Sequence, residues 1–181
     1  MGEDSMIKTI KISFDTVEMM LFIWQSIADK EKVVDSFFIE LANKEDMKYL
    51  YGEEFNEDSV RKVLSAISNR EVLNNASKKE RKFWNNNMWI LEDLDNMNNM
   101  VKPVKTLNLD DLKLKLNGET KFEEVEVIFI PGHEEEYYIE DNKLVINFFR
   151  LMVDFMDDTK VNISGKPLNE YIEEKLLEME K

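Results

Sequence analysis

The sequence predicts an α+β fold, and three observations carry that prediction. Apolar residues recur at helical spacing through most of the first hundred positions, the period changes to two beyond Leu112, and an amphipathic stretch closes the chain. The expected architecture is an N-terminal helical half, about residues 1–103, packed on a C-terminal antiparallel sheet that ends in a final helix, about residues 104–181. A length of 181 residues suits a single domain with one well-buried core.

The elements follow in order. Ile10, Ile12 and Phe14 alternate with Lys11 and Ser13 as a short strand would. Asp15 with Glu18 has capping-box spacing, and Val17, Met20, Leu21, Trp24 and Ile27 continue it as a helix that should be buried on most faces, since Met19, Phe22 and Ile23 are apolar too. Val34, Phe37, Phe38 and Leu41 keep the helical period to about Asn43, and a shorter turn around Met47–Tyr51 should stop at Gly52. Asn56 caps a helix carrying Val60, Val63, Leu64 and Ile67. Ser77 with Glu80 opens a longer one, with Trp84, Met88, Leu91, Leu94 and Met97 as its apolar stripe and Pro103 as its end.

The second half reads as strands. Leu112, Leu114 and Leu116 alternate with lysines, and a three-residue loop Asn117-Gly118-Glu119 sets Leu114 opposite Phe122. Val125, Val127 and Phe129 form a strand that Pro131-Gly132 breaks. A turn at Asp141-Asn142 then pairs Glu140 with Lys143, Ile139 with Leu144, Tyr138 with Val145 and Tyr137 with Ile146, each pair chemically matched. Phe148–Met156 fits either a strand or a helix. Val161 and Ile163 make a last strand, Ser164-Gly165-Lys166 a turn, and Pro167 an N1 position for a helix marked by Leu168, Ile172, Leu176 and Met179.

Composition excludes several function classes. There is no cysteine, hence no disulfide, thiolate metal site or cysteine nucleophile. The first residues lack the apolar core of a secretory leader, and the most apolar run, Val17–Trp24, is far below the ~20 residues that span a bilayer, so no membrane partner and a cytoplasmic location are expected. A net charge of −14 makes nucleic acid an unlikely partner, because phosphate binding draws on lysine and arginine. The charge is uneven: residues 119–141 carry −8, whereas residues 61–82 carry +5. Such asymmetry bears on partners rather than on fold.

The only histidine, His133, is followed by Glu134, Glu135, Glu136, Tyr137 and Tyr138. An imidazole titrates near neutrality and could act as a base or a ligand. Three successive acids point in different directions, however, and no HExxH, HxH or DxD spacing accompanies them, so neither a metal nor a cofactor is expected. Trp84 and Trp89 beside Lys78, Lys79, Arg81 and Lys82 could stack bases and hold phosphate, but Trp84 belongs to the apolar stripe. Four cations near a helix N-terminus oppose the macrodipole and therefore point to a partner, for which the chain's own acidic hairpin is one candidate.

The expectation from these features is an acidic binding protein, of the immunity or inhibitor kind, that meets a basic macromolecule through an exposed anionic face spanning Glu119–Asp141. His133, Glu134, Glu135, Glu136, Tyr137 and Tyr138 are its contact residues, and no residue is assigned to catalysis. The alternative is a small enzyme or ligand-binding domain that brings His133, Glu134 and Tyr137 together in a helix–sheet pocket.

Overall fold

Val125, Val127, Ile128, Phe129 and Ile130 leave one strand almost no polar side, which suits a position inside a sheet with both faces covered. A computed structural model describes residues 7–116 and 121–180. In it β1 (Thr9–Ser13), β2 (Glu124–Ile130), β3 (Tyr137–Glu140) and β4 (Lys143–Asn147) form one sheet in the order β1-β2-β4-β3. The α+β class holds, with helices first, strands later and a last helix at the end of the chain. The pairing is mixed, however, and not wholly antiparallel: Ile10 lies beside Val125 and Val127 beside Leu144 in parallel ladders. Only β3 and β4 are antiparallel, in the expected register of Tyr137 with Ile146 and Ile139 with Leu144, with Asp141 at φ 53° in the turn. Hairpin pairing is local and shows in the sequence. Joining β1 to β2 spans more than a hundred residues and leaves no local signal.

Among the described residues between β1 and β2 run six α-helices: α1 (Asp15–Ala28), α2 (Asp35–Ala42), α3 (Glu57–Ser68), α4 (Lys78–Glu92), α5 (Leu94–Lys105) and α6 (Asp110–Lys115), with a 3-10 turn at Glu45–Leu50. The capping boxes at Asn56–Ser59 and Ser77–Glu80 form. The one expected at Asp15 does not, since Asp15 is already helical and Phe14 holds the cap position without a side-chain bond. Phe22 leaves α1 on its outer side and packs on Phe37 with ring centroids 5.0 Å apart. The long tryptophan helix is in fact two, because Asp93 ends α4 and its carboxylate accepts from Asn96 N to cap α5. Pro103 lies inside α5 and does not end it.

Leu112, Leu114 and Leu116 are not a strand. Leu112 and Leu116 are four residues apart, bury the same side of α6 and its end, and leave Leu114 76% exposed. The turn expected at Asn117-Gly118-Glu119 lies outside the described residues. Phe148–Met156 resolves into a 3-10 turn, Phe148–Arg150, then β5 (Leu151–Val153), which pairs with β6 (Val161–Ile163) and through it with β7 (Lys166–Pro167) in a second, antiparallel sheet. Ser164 and Gly165 both take positive φ, 53° and 79°, to make the two-residue turn. Pro167 pairs with Asn162 and stands just before α7 (Leu168–Met179), whose Leu168, Ile172, Leu176 and Met179 are buried. One continuous core joins helices and both sheets. Among the described residues no helix is long and apolar enough to cross a membrane.

The buried face of α4 is Glu80, Phe83, Asn87 and Ile90, so Trp84 is only half-buried and is not the core residue its stripe suggests. Trp24 is fully enclosed. Its Nε1 donates to Asn87 Oδ1 at 2.9 Å and its ring stacks on Phe148. Trp24→Ala should therefore cost about 3–5 kcal/mol in urea unfolding, because a large cavity opens and Asn87 loses a partner. Trp84→Ala should cost roughly half of that or less; equal losses would contradict the burial described here.

Candidate functional site

β2 and β4 run parallel and end side by side, so the chain leaving β2 must turn at that edge and return as β3. Pro131, Gly132 and His133 fill the turn and are all buried. Fully buried Asn147, the last residue of β4, holds them. Its Oδ1 accepts from Gly132 N and Phe149 N, both at 3.1 Å, and its Nδ2 donates to the carbonyls of His133 (3.3 Å) and Glu135 (3.0 Å). Asn86 of α4 adds donations to the carbonyls of Gly132 and His133. Position 132 must be glycine, since a Cβ there would stand 2.6 Å from Asn147 Cγ.

His133 is spent inside this loop. Its Nε2 donates to the Leu50 carbonyl at 3.0 Å, its Nδ1 accepts from Glu134 N at 2.8 Å, and its ring meets Phe55 edge-on. That pair of partners fixes the neutral tautomer with the proton on Nε2. Burial, with help from the Lys79 charge, pushes its pKa below 6.5 against the opposing pull of the Leu50 carbonyl and of Glu134 and Glu135.

The other residues expected around His133 diverge. Glu134 turns to Lys78 at 3.8 Å, and Arg150 donates to its backbone carbonyl at 2.5 Å. Glu135 is exposed, and Glu136 accepts from Tyr171 Oη at 3.0 Å. Tyr137 faces α7, donates to Glu178 at 2.7 Å and lies under the Lys175 ammonium. Tyr138 points to the opposite sheet face beside Tyr49, and burial lifts its pKa to about 12. His133, Glu134 and Tyr137 therefore share no pocket, and His133 is no surface contact.

Nor do the acids of the segment gather on one face. Glu123, Glu126, Glu140 and Asp141 stand at one end of the sheet, where Lys8 and Lys11 lie near the first two and Lys143 lies in register between Glu126 and Glu140, whereas Glu134, Glu135 and Glu136 stand at the opposite end; Glu119 falls outside the described residues. Among the described residues no three histidine or carboxylate side chains are placed to hold a metal ion, and every buried side-chain nitrogen or oxygen has a partner.

Two features absent from the expected site stand out instead. The first is the outer ridge of α4, where Lys78, Arg81, Lys82 and Asn85 follow one another at i, i+3, i+4 and i+7. On one side of the ridge a hollow of about 460 Å³ is lined by Arg70, Glu71, Val72, Leu73, Arg81 and Trp84, and on the other a hollow of about 400 Å³ by Lys78, Lys82, Glu134 and Arg150. The acidic hairpin thus supplies Glu134 to this basic cluster. Among the described residues no carboxylate pairs with Arg70, Arg81 or Lys82.

The second is the loop between β5 and β6. Phe155 is 98% exposed and Met156 85%. Asp154 fixes them in place: its carboxylate accepts from Met156 N at 2.8 Å, Asp157 N at 3.1 Å and Asn162 Nδ2 at 2.8 Å, while its own N donates to the Lys160 carbonyl. Asp157 accepts from Thr159 N and Oγ1. The bond from Asn162 holds the Asp154 pKa low and the bond from Thr159 does the same for Asp157; with exposed Asp158 they put three carboxylates next to the two apolar side chains in sequence, against one cation, Lys160, which pairs with Asp157 at 3.9 Å. The residues Asp-Phe-Met-Asp-Asp were the available signal, masked by the helical spacing of Phe148, Met152 and Phe155.

Two outcomes test the loop at the sheet edge. Asn147→Ala should cost about 2–5 kcal/mol, since it leaves Gly132 N and Phe149 N without the Asn147 acceptor and the Glu135 carbonyl without its Asn147 donor, each worth roughly 1–3 kcal/mol when left bare, while Asn86 still donates to the His133 carbonyl. The single histidine resonance should titrate with a midpoint below 6.5. The unfolded chain binds that proton near 6.5, so its uptake favours unfolding: His133 should lower stability as pH falls through 6.5 toward the folded value and have no effect above 6.5. A midpoint at or above 6.5 would contradict the buried neutral ring.

Comparison with protein-family models, with curated proteins and with solved structures finds no match to this chain.

Proposed function

We propose that the chain is a non-catalytic binding protein of the immunity or inhibitor kind, and that its partner is a basic macromolecule. The single observation that carries the reading is the display of Phe155 and Met156 on a loop whose shape is fixed by Asp154 and Asp157. Leaving two such side chains in water forgoes about 1.5–3 kcal/mol each that burial would return. An aromatic anchor held in one conformation reduces the ordering cost of binding and has the composition of an interface hot spot.

The acids around the anchor determine the sign of the partner. The carboxylates of Asp154, Asp157 and Asp158 favour an apolar socket bordered by lysine or arginine, and the total charge of −14 steers such a partner inward. This keeps the basic partner that composition suggests while moving the contact from residues 133–138 to residues 154–158. The divergence of His133, Glu134 and Tyr137 favours this reading over a helix–sheet active site.

The experiment is a capture from the source cell on immobilised protein, followed by affinity measurements with the purified partner. Phe155→Ser with Met156→Ser should weaken binding about thirtyfold or more, the effect of losing a hot-spot anchor. Asp158→Asn should chiefly slow association and reduce its salt dependence. Unchanged affinity in the double variant, with its circular dichroism intact, would remove the loop from the function.

A further inference from the structure

We infer that the socket fitting this anchor is present on the chain itself, so that Phe155 and Met156 of one copy seat in the hollow beside Trp84 of a second copy. The inference rests on the binding role proposed for the loop and adds a second occupant for it, a copy of this acidic chain, beside the basic macromolecule proposed above.

The two surfaces match in chemistry. The loop presents an aromatic ring and a thioether beside Asp154, Asp157 and Asp158, whose charge Lys160 offsets only in part through its 3.9 Å pair with Asp157. The hollow presents Val72, Leu73 and the Trp84 indole inside a rim of Arg70, Arg81 and Glu71, whose two guanidinium groups have no carboxylate within ion-pair distance among the described residues and leave the rim with a net positive charge. Val72 is 80% exposed at the edge of the hollow, and Leu73 and Trp84 are half-buried within it. A volume of about 460 Å³ accommodates two large side chains. A methionine sulfur against an indole edge adds a favourable contact, and Arg–Asp pairs around a desolvated centre fix orientation.

The two surfaces of one molecule do not meet, because Phe155 touches almost nothing of its own chain. Every copy therefore carries one free anchor and one free socket, and association is head-to-tail. Such contacts produce rings when the rotation closes and open chains when it does not, in contrast to the two-fold dimers in which one patch meets itself. The copies repel one another through their net charge, so the assembly is expected to be weak and dependent on concentration.

The test uses sedimentation velocity on the full chain over a concentration series. The wild type should grow in mass beyond 21.5 kDa as concentration rises. An anchorless variant, Phe155→Ser with Met156→Ser, and a socketless variant, Val72→Glu with Arg81→Glu, should each remain monomeric; all four positions are exposed, and circular dichroism checks that the folds persist. Mixed in equal amounts, the two variants should form a dimer and stop there, since only one anchor and one socket remain. A wild type that is monomeric throughout overturns the inference, as does self-association of either variant or a mixture that forms no dimer. If the wild type is monomeric while the anchorless variant still loses the captured partner, the binding role stands and only its assignment to a second copy fails.

Discussion

Asn147 is the residue on which the layout of the sheet depends. Two parallel strands ending together leave an edge of backbone donors and acceptors, and the chain that turns there must satisfy them without water. One carboxamide does so for Gly132, His133, Glu135 and Phe149 at once. It fixes where β3 begins and, through Phe149, the 3-10 turn that directs the chain into the second sheet. In open α/β sheets the crevice at the carboxyl ends of the strands is where ligands bind. Here His133 and Phe55 occupy that position, and the ring nitrogens bond only to backbone.

The same economy shapes α4. Glu80 and Asn87 lie on its buried face, and each is paid for by named bonds. Asn87 accepts from Trp24 and donates to the Phe83 carbonyl. Burial works against ionisation of Glu80, but bonds from Ser59, Ser77 and Lys62 outweigh it and hold the pKa below the usual value. With the polar anchors inside, the opposite side of the helix carries Lys78, Arg81, Lys82 and Asn85. Glu134 reaches only Lys78 among these cations, so most of the ridge's charge is left to face outward.

These particulars explain what the sequence could and could not disclose. The Tyr137–Ile146 hairpin was legible because a two-residue turn and four matched pairs allow only one register. α6 was misread because Leu112 and Leu116 satisfy a period of two and a spacing of four equally well, and only the exposure of Leu114 separates them. The stripe on α4 was displaced by roughly a quarter-turn because hydrophobic counting skips the buried Glu80 and Asn87 and selects Trp84, Met88 and Leu91 beside them. Of the site, the basic cluster and its link to the acidic hairpin were legible. The burial of His133 was not, since it depends on Leu50 and Phe55 from a distant segment.

The exposed pair at 155–156 is a different kind of exception. A flexible loop with a phenylalanine and a methionine would fold them onto the nearest apolar surface, because the burial they forgo exceeds what an unconstrained seven-residue loop loses by rearranging. Asp154 prevents this by holding the backbone of Met156 and Asp157 and the side chain of Asn162 on β6. The same carboxylates place charge next to the apolar tip, which opposes indiscriminate association through it. In the binding role proposed for it, a loop that is both stiffened against collapse and charged against casual contact would select a partner that offers an apolar socket and positive charge together.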